Sequence, residues 1–95
     1  MQIVIDGAAG TVSVSDESDF TSLSGRVAGS PEMADRVLAR GRVDADHLWI
    51  EVGYLKELAS VGEDAERSAK FDSMIAYARS KGWVNDSDEV RAHLV

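Results

Sequence analysis

The sequence contains no cysteine, and this absence removes several kinds of chemistry. Without thiols the chain has no disulfide bridge, no thiolate metal ligand and no cysteine nucleophile. No apolar run approaches the ~20 residues that a membrane-spanning helix needs, so no membrane contact is expected. The first residues carry neither a basic segment nor a long apolar segment, which argues against a signal peptide and indicates a cytoplasmic protein.

Basic residues are the scarcer charged class. There are 10 Lys and Arg against 17 Asp and Glu, which gives a formal net charge of −7. The acidic residues are spread along the chain, and a dispersed negative charge repels phosphate backbones and anionic lipids. Nucleic acid is therefore disfavoured as a partner, whereas a protein partner or a second copy of the chain is favoured because so short a chain is only modestly stable alone.

The 95 residues and their 44% apolar content predict one small domain over residues 1–95. Its N-terminal part, residues 1–29, is expected to be a β-hairpin over 2–15 followed by an irregular connection. Ile3 and Ile5 alternate with Gln2 and Val4 in the period-2 pattern of half-buried strands, and residues 6–10 have the composition of a turn. In residues 16–29 the spacing of Phe20, Leu23 and Val27 suggests only a loose helical turn pinned to the core.

The remaining part, residues 30–95, is expected to be a helical core with a C-terminal hairpin. A first helix is predicted over 31–40, because Ser30 suits the N-cap and Pro31 the first helical position. Arg40 is expected in its last turn, and Gly41 as the residue that stops it.

Residues 45–61 form the most apolar stretch, and two interpretations of it compete. One helix would align Leu48, Val52, Leu55 and Ala59, but it would place Gly53 in its middle. A strand with Leu48 and Ile50 on one side, followed by a helix from about 52 to 60, better fits the β-favouring residues of the first half. The second interpretation is favoured.

The longest helix is predicted over 63–81. Acidic residues at its start, Glu63 among them, and basic residues at its end suit the helix dipole, and Phe71, Met74, Ile75 and Ala78 form an apolar stripe. Gly82 is expected to end it, with Trp83 folding back on the last turn. Residues 83–95 then read as a hairpin. The fold class is therefore α+β, with an N-terminal β-hairpin, three helices, a short central strand and a C-terminal β-hairpin.

The order of these elements over residues 31–95 resembles the winged helix-turn-helix fold. The local feature that carries the resemblance is the stretch 77–84, which looks like the passage from a third helix into a wing. The resemblance implies that residues 63–81 would be a recognition helix, and a DNA-binding transcriptional regulator is therefore one alternative function. The net charge of that helix is zero, whereas DNA-binding helices need basic groups to neutralise phosphates.

Candidate chemical sites are few. His47 lies near Asp44, Asp46 and Glu51, but the ligand spacings of known metal sites are missing, so no metal ion and no cofactor are expected. Histidines can act as general acids or bases. A small enzyme or ligand-binding protein that uses His47 or His93 is thus a second alternative, although no recognisable catalytic spacing accompanies either residue.

Exposed aromatic side chains are the remaining signal. If residues 48–52 form a strand, Trp49 points away from Leu48 and Ile50 together with His47 and Glu51, and it either meets a partner or belongs to a core on both sides. We predict an interaction surface made of these outward residues and two further aromatics: His47, Trp49, Glu51, Tyr54 and Trp83. The favoured function is a non-catalytic protein-interaction or accessory module of a larger assembly, or a self-associating domain.

Overall fold

A six-stranded sheet and three helices make up the fold in the computed structural model, which describes residues 1–16, 19–38, 40–60 and 64–95. The elements in chain order are β1 Gln2–Asp6, β2 Thr11–Ser15, β3 Ser24–Ala28, α1 Pro31–Val37, β4 Gly41–Asp44, β5 His47–Glu51, α2 Val52–Leu58, α3 Ala65–Ser80 and β6 Glu89–Leu94. The predicted mixed α+β class and the three helices are therefore present. In the described part of the chain, no helix is both long and apolar enough to cross a bilayer.

The strands follow the order β2–β1–β3–β6–β5–β4 across the sheet. β1 is antiparallel to β2 and parallel to β3, and β4, β5 and β6 form an antiparallel set. The two groups meet where β3 runs parallel to β6. One continuous sheet thus joins the two parts of the chain that the sequence divided at residue 29.

The N-terminal hairpin is confirmed. Ile3 pairs with Val14 and Ile5 with Val12, so the apolar residues of both strands share one side of the sheet. The turn is held by the Asp6 carboxylate, which accepts hydrogen bonds from the backbone N–H groups of Ala8 and Ala9. Short-range alternation and turn composition were sufficient signals here because the hairpin is a local structure.

The irregular connection predicted over residues 16–29 is wrong in its second half, which forms strand β3. Gly25 looked like a residue that interrupts regular structure. A Cβ at Gly25 would lie 3.0 Å from Leu94 and 3.1 Å from Leu48, so the position needs a small residue inside a strand. Phe20, Leu23 and Val27 do pack against the core as predicted.

The first helix begins as predicted and ends earlier. The Ser30 Oγ accepts a hydrogen bond from the backbone N–H of Met33, and Pro31 follows it. The helix stops at Val37, so Arg40 is not in its last turn, and Gly41 opens strand β4 instead of capping a helix. A Cβ at Gly41 would lie 2.3 Å from the Trp49 carbonyl oxygen, and this close backbone approach explains the glycine.

The strand-then-helix interpretation of residues 45–61 is confirmed, since β5 ends at Glu51 and α2 begins at Val52. The prediction of one short central strand was incomplete. β5 has β4 on one side and β6 on the other, with Val43 opposite Leu48 and Ile50 opposite Val90. β4 was missed because its four residues follow directly on a predicted helix.

Helix α3 has the predicted end. Gly82 adopts a φ of +78°, and the backbone N–H of Trp83 donates to the carbonyl oxygen of Ala78, which is the Schellman arrangement. At the other end the Asp64 carboxylate accepts from the N–H groups of Glu66 and Arg67. The predicted place of Glu63 in the first turn lies outside the described residues.

The C-terminal hairpin predicted over 83–95 is short: Val84 bridges Val90, the Arg91 N–H donates to the Trp83 carbonyl oxygen and the Asn85 N–H to that of Glu89. β6 pairs along its length with β5 and briefly with β3, so it is an inner strand of the sheet. The alternation of Val90 and Ala92 was read correctly, but the partner strand lies some forty residues earlier in the chain. The winged-helix resemblance stays a prediction.

The sheet has one side turned to the core, here called the core face, and an opposite outer face. Core-face side chains such as Leu48, Ile50 and Val90 are fully buried, whereas the outer-face residues of the described strands are half-buried or exposed. Helical side chains complete the same core. The buried apolar residues are Met1, Ile3, Ile5, Ala34, Leu38, Leu48, Ile50, Leu55, Ala59, Phe71, Met74, Ile75, Ala78, Val90 and Ala92.

Candidate functional site

A row of three side chains crosses the outer face of the second half of the sheet. Arg42 on β4 lies opposite Trp49 on β5, which lies opposite Arg91 on β6. The guanidinium carbon of Arg42 is 5.5 Å from the centre of the Trp49 ring, within range of a cation–π interaction. Trp49 is half-buried on the outer face, so it is neither a core residue nor a fully exposed one.

Glu51 and Tyr54 both contact the side chain of Arg40. The Arg40 guanidinium forms an ion pair with Glu51, lies 5.5 Å from the centre of the Tyr54 ring and approaches Glu57 at 3.7 Å. The hydrogen bond to Glu51 raises the pKa of Arg40 above its ordinary value. These two predicted surface residues therefore lie in a cluster whose charges are already paired within the chain.

The two histidines are brought together by the pairing of β5 with β6. His47 and His93 lie directly opposite each other, and their ring centres are 5.8 Å apart with the planes at 69°. His47 is half-buried and His93 is exposed on the outer face. Sequence reasoning treated them as separate, because residues 46 apart become neighbours only through the strand register.

Trp83 lies at a different place, on the segment that follows α3. Its ring makes an edge-on contact with Tyr77, with the centres 6.1 Å apart, and both rings are substantially exposed. The five residues predicted as one surface thus separate into two groups. Trp49, Glu51 and Tyr54 are held by Arg40 and Arg42, whereas His47 and Trp83 line a common cavity.

This cavity, here called the α3–β6 groove, has a volume of about 1020 Å³. It lies between the segment 20–23, helix α3 and strand β6. Ligand-binding cavities in proteins commonly measure about 300–1,000 Å³, so the groove is large for a chain of 95 residues. Its apolar lining consists chiefly of Phe20, Leu23, Met74, Ile75, Ala78 and Val90.

The groove lies where β6 changes neighbours on its β3 side. β3 and β6 pair only at Ser24 with His93 and at Gly25 with Leu94. Further along, β6 is met by the bridge from Val84 and by a hydrogen bond from the Arg91 N–H to the Trp83 carbonyl. The groove therefore reaches residues from both faces of β6.

The wall formed by residues 19–23 is held in place by Asp19. Its carboxylate accepts hydrogen bonds from the hydroxyl and the N–H of Thr21 and from the Ser22 hydroxyl. The hydrogen bonds from Thr21 lower the pKa of Asp19 to about 2. The Met1 amino group adds hydrogen bonds to the carbonyl oxygens of Asp19 and Ser22, so this wall has a defined shape without being regular structure.

The charged lining of the groove consists of Arg91 and Lys70, with Glu66 as the acidic residue among them. The two histidines also line it. Lys70 and Glu66 form an exposed ion pair of 3.3 Å. Arg91 takes part in no ion pair between residues that the structure describes.

Sequence reasoning missed most of this site. Phe20 and Leu23 carried a signal, because two bulky apolar groups in a polar segment predict a contact with the core, but nothing predicted a cavity beside them. Arg91 and Lys70 had no signal, since the first depends on strand register and the second on how α3 approaches β6.

Across the described ranges, no group of three or more histidine and acidic side chains lies close enough to hold a metal ion. His47 has His93 beside it and lines the apolar groove. No protein-family model, curated protein or solved structure matches this chain.

Proposed function

We propose that this chain is a non-catalytic interaction module that binds a segment of a partner protein in the α3–β6 groove. The observation that carries the proposal is the pair of exposed rings, Tyr77 and Trp83, at an apolar cavity of about 1020 Å³. Tyrosine and tryptophan are enriched where proteins bind one another because they offer large, rigid contact areas. Exposing them beside buried apolar side chains is costly unless a partner covers them.

The shape of the groove supports a chain segment as the occupant. Its lining residues on α3 extend from Glu66 to Ala78. At 1.5 Å per residue this corresponds to about 18 Å of helix. An extended peptide advances about 3.3 Å per residue, so five or six residues would fill this length.

The test compares two tryptophan substitutions on the exposed side of α3. Ser73 lines the groove, whereas Ala76 is also exposed and does not. Ser73→Trp would fill the groove without entering the core, and Ala76→Trp is the matched control. Tagged forms of the chain are used to capture proteins from native lysate of the source cells, and the retained proteins are compared by quantitative mass spectrometry.

We expect a partner that the unaltered chain and Ala76→Trp retain and that Ser73→Trp loses. Circular dichroism and thermal melting verify that both variants fold. Retention of the same proteins by all three chains, or of no partner by the unaltered chain, contradicts the proposal. Light scattering tests whether the partner is a second copy, in which case Ser73→Trp alone converts an oligomer to a monomer.

A further inference from the structure

We infer that the segment bound in the α3–β6 groove is acidic, with a carboxylate that pairs with Arg91 beside an apolar side chain that enters the cavity. The inference rests on the proposed function, which it makes specific. It starts from the contrast between Arg91 and the neighbouring arginines on the same part of the sheet. Arg42 pairs with Glu89 at 2.7 Å and Arg40 pairs with Glu51, whereas Arg91 has no ion pair with any residue that the structure describes.

The position of Arg91 makes this difference significant. It is half-buried on an inner strand, and it lines the groove. Removing a guanidinium from water without giving it an anionic partner costs free energy. A carboxylate from a ligand recovers that cost through two parallel hydrogen bonds, a geometry that the guanidinium fork favours.

The other charged groups at the groove agree with this assignment. Lys70 adds positive charge, the rings of His47 and His93 add hydrogen-bonding nitrogens, and the acidic residue there, Glu66, is 80% exposed. An exposed pair such as Lys70 with Glu66 contributes little and is easily rearranged. A chain with a net charge of −7 thus presents a locally cationic lining, and such local complementarity selects acidic partners.

The apolar requirement follows from the accessible side chains that line the groove together with Arg91. Phe20 and Leu23 are half-buried and line it, as do the exposed rings of Tyr77 and Trp83. A ligand that pairs with Arg91 and covers these side chains must carry an apolar group close to its carboxylate. In a peptide, this means a large aliphatic or aromatic residue within one or two positions of an Asp or Glu.

The inference is tested with synthetic ten-residue peptides that carry a fluorescent label. One peptide combines leucine with glutamate, the second replaces each glutamate by glutamine, and the third replaces each by lysine. Binding to the full chain is followed by fluorescence anisotropy. We expect the glutamate peptide to bind about tenfold more tightly than the glutamine peptide, the lysine peptide to be weakest, and the discrimination to fall with added salt.

Arg91→Gln is expected to remove the preference for glutamate over glutamine. Arg36→Gln is the matched control, because Arg36 is an exposed arginine of α1 outside the groove and its replacement changes the net charge equally. A preference that survives Arg91→Gln, or that Arg36→Gln removes equally, overturns the inference. Thermal melting of both variants accompanies the titrations.

The failure of this inference is distinguishable from failure of the proposed function. If the glutamate and glutamine peptides bind equally and Ser73→Trp blocks both, the groove binds peptides but does not select acidic ones. If no peptide binds while Ser73→Trp still removes a captured protein, the acidic assignment is wrong and the interaction module stands. If Ser73→Trp leaves binding of the glutamate peptide unchanged, both proposals are wrong.

Discussion

The two faces of strands β5 and β6 differ in burial and in chemistry, although they are built from the same eleven residues. On the core face, Leu48, Ile50 and Val90 are fully buried. On the outer face, Trp49 and Arg91 are half-buried and polar or aromatic. The residue alternation that builds the core therefore also decides which side chains are available to a partner.

At one place on β6, residues of both faces line the same cavity. On its β3 side, β6 is met by β3 at His93 and Leu94 and by residues 83 and 84 at Val90 and Arg91. Val90 from the core face and Arg91 from the outer face both line the cavity at this change of neighbour.

The largest expected effect is a loss of stability on truncating a core-face residue of β5, compared with truncating its neighbour on the outer face. Leu48→Ala should lower the free energy of unfolding by about 2–5 kcal/mol, because it leaves a cavity in a fully buried position. His47→Ala, one residue earlier on the outer face, should change it by only about 0.5 kcal/mol. Urea unfolding monitored by circular dichroism measures both. Equal losses would show that a hidden contact covers the outer face.

A smaller change in stability is expected from substituting two glycines, one before β5 in the chain and one after it. A Cβ at Gly41 would meet the Trp49 carbonyl oxygen at 2.3 Å, so Gly41→Ala should destabilise the protein by about 1–3 kcal/mol. At Gly53 in α2 the nearest atom is 3.7 Å away, and Gly53→Ala should stabilise it by up to about 1 kcal/mol. Thermal melting measures whether each substitution raises or lowers the melting temperature. A shift of both variants in the same direction would contradict this account of strand β4.

The smallest effect concerns the charges of the outer face. The hydrogen bond from Asn85, followed by that from Arg42, holds the pKa of Glu89 below its ordinary value of 4.5, although burial opposes this. Because the folded state favours the ionised form, Glu89 stabilises the protein above its unfolded pKa, and this contribution is lost as the pH falls through the lower folded value.

Glu89→Gln should therefore cost about 1 kcal/mol at pH 7 and progressively less as the pH falls below 4. Glu66→Gln is the control, since the Glu66 side chain is 80% exposed and its ion pair should contribute only about 0.3–0.5 kcal/mol. Urea unfolding at a series of pH values checks both variants. A loss for Glu89→Gln that does not depend on pH would point to packing instead of charge.

Local signals in the sequence predicted the local structures. The hairpin of residues 2–15, the Ser30 cap of α1, the change from strand to helix at Glu51 and the Schellman end of α3 all depend on residues within a few positions of one another. Two of the errors occurred at Gly25 and Gly41. Both glycines were interpreted as breaks in regular structure, yet both serve close packing against distant residues of a strand.

The candidate site was predictable only in part. Alternation placed His47, Trp49 and Glu51 on the outer face, and the aromatic character of Trp83 marked it for attention. The sequence could not group these residues correctly, because Arg40 and Arg42 engage Trp49, Glu51 and Tyr54 while the groove takes His47 and Trp83. The winged-helix resemblance and its DNA-binding alternative stay predictions, which duplex titrations at low salt would test directly.

The sequence by itself determined the absence of thiol chemistry, the acidic charge, the α+β composition and which side of each predicted strand is apolar, because these follow from residue type and short-range spacing. Only the tertiary structure decided that β6 is an inner strand, that His47 faces His93 and that Arg91 lines a cavity with Phe20 and Met74. These arrangements depend on the register of strands distant in the chain, and register is fixed by the burial of all the strands together.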